Sequence, residues 1–250
     1  MPRSSTSLIP RLAAEFVVIV VGVLVALGVD SWANDRADRV LEKEYLQRLL
    51  DDVRYDLGEF AFLDSIGGIG LEAGLAMSSA EAVRALESSL LVATVLAVAN
   101  ERQPDLSRAT YRELLSSGRI DLIRSTDVRV ALAEYDRVVS ETEGVWENIS
   151  PRLRVWAASR IPIHIVDRRD EACTPEADVW MYTVPTVCEF DLGGWPAEDL
   201  RRDVLTVDAQ QRILLSTHRF NVGMAVTRQL RGMGEELAAA LERALADLSS

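Results

Sequence analysis

Residues 16–29, FVVIVVGVLVALGV, are fourteen consecutive uncharged, almost wholly apolar positions bracketed by Glu15 and Asp30. As a helix the run is ~21 Å long, and the wider segment 12–33 is ~33 Å, enough for a ~30 Å hydrocarbon core. Beyond Trp32 the pattern changes. Val40, Leu41, Tyr45, Leu46, Leu49, Leu50, Val53, Leu57 and Phe60 recur at steps of three and four, which is one face of an amphipathic helix. No proline interrupts residues 11–103. The pattern therefore predicts an N-terminal transmembrane helix that runs unbroken into a long extramembrane helix. Gly67, Gly68, Gly70 and Gly74 either end that helix, kink it or give it a closely packed face, and we expect it to persist to about Met77.

Further helices are expected over residues 80–100, 107–117, from Asp127 towards Arg160, and over 208–248. Gly118 stops the second of these, because glycine readily takes the left-handed conformation of a helix C-terminus. Ser125 and Thr126 can cap the third, and Pro151 kinks or interrupts it. Leu230, Met233, Leu237, Leu241, Leu245 and Leu248 give the last helix a coiled-coil-like seam. Residues 161–196 differ in kind: they hold four of the eight prolines, both cysteines, His164, Trp180, Tyr182 and Trp195, with a short hairpin expected within 179–190. The expected fold class is all-α. A short tail (1–11) and a transmembrane helix (12–33) lead into an antiparallel helical bundle (34–250) with one irregular loop (161–196).

Charge and chemistry narrow the function classes. The formal charge is −12, yet residues 1–11 hold two arginines and no acid, so the rest is more acidic still. Nucleic acid is not an expected partner, since phosphate binding needs clustered Lys and Arg. An acidic domain is also repelled by anionic headgroups, so the expected membrane contact is through residues 12–33. The apolar run with Ser31-Trp32-Ala33 behind it has the form of a cleaved signal peptide. Against that reading, Glu15 lies within the segment and the helical pattern continues past it without a break, so we expect a retained anchor.

The basic residues Arg3 and Arg11 on one side and Arg36, Arg39 and Lys43 on the other do not decide orientation. Cys173 and Cys188 bear on it. In an oxidising compartment they could close a disulfide worth ~3 kcal/mol; otherwise they are two small apolar residues. With the bond, the bundle is periplasmic, the N-terminus cytoplasmic and the anchor in the inner (cytoplasmic) membrane.

Glu15, Ile19, Gly22, Ala26 and Val29 share one face of the anchor, and Gly22 with Ala26 forms a small-xxx-small pair that admits a second helix. Glu15 either hydrogen-bonds at the edge of that contact or snorkels to the headgroups. Trp32 suits the membrane interface. In the irregular loop, Trp180, Tyr182 and Trp195 either form a recognition surface or cap one end of the bundle. Gly68-Ile69-Gly70-Leu71-Glu72-Ala73 fits a loose dinucleotide-binding pattern, but both flanks read as helix, so close helix packing explains it better. Acid pairs such as Asp51-Asp52 and Glu235-Glu236 read as solvated helix faces. His164 and His218 are far apart and no metal site is expected. No serine sits in G-x-S-x-G and no Cys-x-x-Cys occurs, so no catalytic residue and no cofactor are expected.

Two blocks carry a resemblance. One is Glu15, the aliphatic run, Gly22, Ala26-Leu27, Asp30-Ser31 and Trp32-Ala33-Asn34, followed by Glu44-Tyr45-Leu46. The other is Thr110-Tyr111-Arg112-Glu113-Leu114 with Ser116-Ser117-Gly118 and Leu122-Ile123. In order and spacing they resemble a family of bacterial single-pass membrane proteins of unknown function, with an N-terminal anchor and a helical domain. The resemblance covers residues 14–50 and 108–135 and departs at Ala14, where glycine is usual, and at Gly28, where glutamine is usual. It implies an uncleaved anchor and a mostly helical domain, and it implies no activity.

The expectation is a non-enzymatic, membrane-anchored interaction protein. Its sharpest form is an accessory or scaffolding subunit of a larger integral-membrane complex of the respiratory or photosynthetic kind, bound to membrane subunits or to a second copy of itself. The alternative is a periplasmic sensor module that binds a ligand or peptide.

Overall fold

The computed structural model describes residues 8–147, 152–174 and 186–249, with side chains described from 16 to 143 in the first of these stretches. All regular structure among them is helical. The first helix, α1 (Leu8–Ala76), carries the apolar segment and continues without interruption into the bundle. At 69 residues it is ~100 Å long. The last helix, α9 (Val207–Asp247), returns along the non-apolar part of α1. Arg54 pairs with Glu242 at 2.9 Å and Asp64 with Arg231 at 2.9 Å, so the two helices run antiparallel. The 41 residues of α9 span ~60 Å, matching residues 34–76 of α1.

The glycines of α1 make the close-packed face. A Cβ on Gly67 would lie 2.7 Å from Met224 Cγ, one on Gly70 would enter the Phe220 ring, and one on Gly74 would collide with Thr217. Gly68 points away from any neighbour. The pattern Gly68 to Ala73 lies mid-helix with no strand before it, which excludes the strand-turn-helix a dinucleotide motif needs.

Between α1 and α9 the chain builds two cores. The core nearer the apolar segment joins Tyr45, Leu46, Leu49 and Phe60 of α1 to α4 (Ala109–Ser116), α5 (Thr126–Glu147) and the Leu230, Leu237 and Leu241 seam of α9. The far core surrounds α3 (Ser88–Ala99), which is apolar on nearly every side and correspondingly buried, as a central helix must be. Around it lie α2 (Ala80–Ala85), α6 (Arg152–Ala158), α7 (Ile163–Cys173) and α8 (Glu198–Val204).

Several boundaries differ from expectation. The helix expected over 80–100 is two helices: Leu86 and Glu87 are extended, and Arg201 of α8 donates to Val83 O at 2.7 Å, capping the end of α2 from outside. The loop 161–196 contains α7, whose Ile165, Arg169 and Cys173 are buried at helical spacing, and residues 186–190 form no strand. Most of the expected hairpin, and Pro151, lie outside the described residues. Gly118 does end α4: its φ is +68°, with Arg119 N bonded to Leu114 O at 2.9 Å and Gly118 N to Leu115 O at 3.1 Å. Ser125 accepts from Val128 N at 3.3 Å at the start of α5.

Candidate functional site

Three features stand out: an apolar helix segment with no partner among the described residues, a carboxylate network in the near core and an arginine-rimmed cavity in the far half.

Residues 16–29 of α1 are exposed on every side, and no other part of the described chain packs against them. Ile19, Gly22, Ala26 and Val29 share one exposed face, with nothing within 4 Å of a Cβ built on Gly22. Trp32 is 66% exposed. The side chain of Glu15 lies outside the described ones. This helix is long and apolar enough to cross a membrane.

The link between α3 and α4 forms no backbone ladder, so its N–H groups need partners from elsewhere. Carboxylates of α1 supply them. Asp56 Oδ1 accepts from Ser107 N at 2.6 Å, Asp52 accepts from Ser107 Oγ at 2.7 Å and from Thr110 N at 3.2 Å, and Glu59 accepts from Asp105 N at 3.4 Å. Farther along, Glu42 accepts from Arg124 N at 2.7 Å. Asp52 is thus no merely solvated residue, although its neighbour Asp51 is exposed. Asp56 is fully buried, and its other oxygen takes the Tyr135 hydroxyl at 2.8 Å. Burial pushes its carboxyl up to about 7, opposed by the two hydrogen bonds, while the same burial raises Tyr135. Arg108, 8% exposed, is held by Asp136 at 3.2 Å, by Ser140 at 2.6 Å and by Glu143. The inner void beside Asp52 and Tyr135 is only about 20 Å³, room for a water, whereas on the outer side Ser107, Arg108 and Glu143 line an open groove of about 450 Å³ with Tyr55 and Arg112. The network's role in the fold is to pin a non-helical segment.

The two blocks that carry the family resemblance meet here. Tyr45 donates to Glu113 Oε1 at 2.8 Å and Arg48 pairs with Glu113 at 2.5 Å, which holds the Glu113 carboxyl below its usual range.

The far half contains a cavity of about 320 Å³ between α1, α6 and α9. Leu63, Ile66, Phe220 and Met224 form apolar walls, and Arg102, Arg154 and Arg219 stand with Glu101 at the polar side. Glu101 pairs with Arg219 at 3.2 Å and its carbonyl accepts from Arg154, while Arg102 lies over the Phe62 ring, 5.0 Å from its centre. These arginines come from three separate segments and share no motif, so no pattern in the sequence foretold them. The carboxylates of α1 left a fainter signal: Asp52, Asp56 and Glu59 stand at helical spacing along one edge of the apolar face.

Cys173 and Cys188 are joined in a disulfide. Trp195 is half-buried and packs on the far core with Phe190 and Leu192, as a cap of the bundle does. Trp180 and Tyr182 lie outside the described residues. His164 and His218 are exposed, and no group of metal-ligating side chains occurs among the described residues.

No family model, no curated protein and no solved structure matches this chain.

Proposed function

We propose that this chain is a non-enzymatic, membrane-anchored interaction protein, an accessory or scaffolding subunit of a larger integral-membrane assembly of the respiratory or photosynthetic kind. The observation that carries the reading is the contrast along α1. Its distal part is occupied by the bundle, while residues 16–29 expose apolar surface that nothing in the described chain covers. Eleven large apolar residues in that run favour membrane insertion by ~3–6 kcal/mol.

In this reading the face of Glu15, Ile19, Gly22, Ala26 and Val29 takes a partner helix from another membrane subunit or a second copy. The N-terminus is cytoplasmic and the bundle periplasmic, beside the inner membrane. The Cys173–Cys188 bond supports that orientation, because disulfides persist in oxidising compartments. The chain also falls, in this proposal, within the family of single-pass proteins that its two blocks resemble. The contact between those blocks through Tyr45 and Glu113 supports it.

The test is extraction of the native membrane in mild detergent, affinity capture of the full chain, and mass spectrometry of what accompanies it. Integral-membrane subunits in stoichiometric amount are expected, and Gly22→Leu should reduce their recovery. Recovery of the chain alone, or equal recovery with Gly22→Leu, overturns the reading. A periplasmic sensor module is the second reading, and the arginine-rimmed cavity is the observation that favours it.

A further inference from the structure

We propose that the cavity between α1, α6 and α9 binds a small amphipathic anion: one short alkyl chain among Leu63, Ile66, Phe220 and Met224, and a carboxylate or phosphate head against Arg154 and Arg219. The site is independent of the assembly reading and compatible with either role for the chain.

Size sets the first limit. About 320 Å³ lies at the lower end of small-molecule pockets (~300–1,000 Å³), which suits one short chain and excludes a two-tailed lipid. Charge sets the second. In a protein of net charge −12, the described residues lining this cavity include three arginines and one acid, Glu101. A guanidinium offers paired donors that match the oxygens of a carboxylate or phosphate. Glu101 pairs with Arg219 at 3.2 Å and its carbonyl accepts from Arg154, which orients both guanidinium groups at the polar side of the cavity.

A third observation lies on the other side of Arg219. A small pocket of about 90 Å³ is lined by that same arginine, by Arg152, by Arg212 with its ion-pair partner Asp208 at 2.8 Å, and by Ser216, whose hydroxyl is buried and makes no hydrogen bond. A buried hydroxyl without a partner is costly, and water held behind Arg219 in this adjoining pocket would satisfy it. Leu63 stands ~45 Å along α1 from residue 33, so the ligand reaches the cavity from solution and not sideways from the bilayer.

The test is equilibrium dialysis of the full chain, held in phosphatidylcholine nanodiscs, against octanoate, octyl phosphate and octanol, with empty nanodiscs subtracted. One saturable site for octanoate or octyl phosphate is expected, the tighter of the two identifying the head. Octanol should bind at least tenfold more weakly. Arg219→Gln and Arg154→Gln should each weaken the anion at least tenfold and leave octanol unchanged. Arg154 is solvent-exposed, so its variant keeps the test valid if Arg219→Gln disturbs the bundle. Absence of saturable anion binding, octanol binding as tight as the anions, or anion binding indifferent to Arg154→Gln would overturn the proposal.

Discussion

The core near the apolar segment and the core far from it share two long helices and are held by different means. Near the segment, Glu42, Asp56, Glu59 and Arg108 are all buried, and their hydrogen bonds tie the non-helical link 100–108 and the backbone at Arg124 to α1 and α5. In the far half the helices approach through Gly67, Gly70 and Gly74, the centre is the apolar α3, and a disulfide closes the loop after α7. Polar networks specify one arrangement and fail when a partner is lost, whereas apolar packing and a crosslink tolerate change in ionisation. The two halves should therefore answer to different perturbations.

Reduction of Cys173–Cys188 should have the largest effect. A crosslink over 15 positions removes loop-closure entropy worth ~3 kcal/mol from the unfolded chain. Amide exchange is the measurement: with reductant, protection should fall in α7 and α8 and hold in α4 and α5. Equal loss in both halves would erase the distinction and make the bundle a single cooperative unit.

Asp56 should give the near half a pH dependence of its own, separate from that of Asp170, which burial also raises beside Arg169 in α7 of the far half. Its carboxyl is raised to about 7 by burial, against ~3.9 in an unfolded chain. The folded state then holds more protons between those values, so stability is complete below ~4 and is lost as pH rises through about 7. Asp52, Arg108, Tyr135 and Ser107 surround the group, and Arg108 and the two hydrogen bonds limit the shift. From pH 5 to 7 the loss should be about 2 kcal/mol. Asp56→Asn should flatten that slope in denaturant melts of the full chain; an unchanged slope would show that another group titrates.

The far half was also harder to read in the sequence. Steps of three and four from Leu41 to Phe60, the leucine seam of α9 and Gly118 each depend on neighbours within a few positions, and each is where the pattern put it, whereas Val40, at the head of the expected face, is 66% exposed. The break between α2 and α3 depends on Arg201, more than a hundred positions away, and no local pattern announces it. Helix α7 was hidden because prolines and aromatic residues around it suggested irregular backbone, although Ile165, Arg169 and Cys173 stand at helical spacing. The apolar segment of α1 was legible as a run of apolar residues. The cavity was not, since Arg102, Arg154 and Arg219 acquire a shared meaning only when the link after α3 and the helices α6 and α9 converge.

Glycine gives the smallest and sharpest comparison, because one substitution should change sign with location. At Gly118, in the near half, φ of +68° is a conformation in which a side chain is strained, so Gly118→Ala should destabilise by about 1 kcal/mol. At Gly68, on the far half of α1, the backbone is helical and nothing lies within 4 Å of an added Cβ. There Ala gains helix propensity and restricts the unfolded chain, so Gly68→Ala should stabilise by about 0.5–1 kcal/mol. Thermal melts of both variants beside the parent chain test the pair. Stabilisation at Gly118 would mean that α4 does not end in the left-handed turn. Destabilisation at Gly68 would mean that the outer face of α1, like Gly70 on its inner face, already has something packed against it.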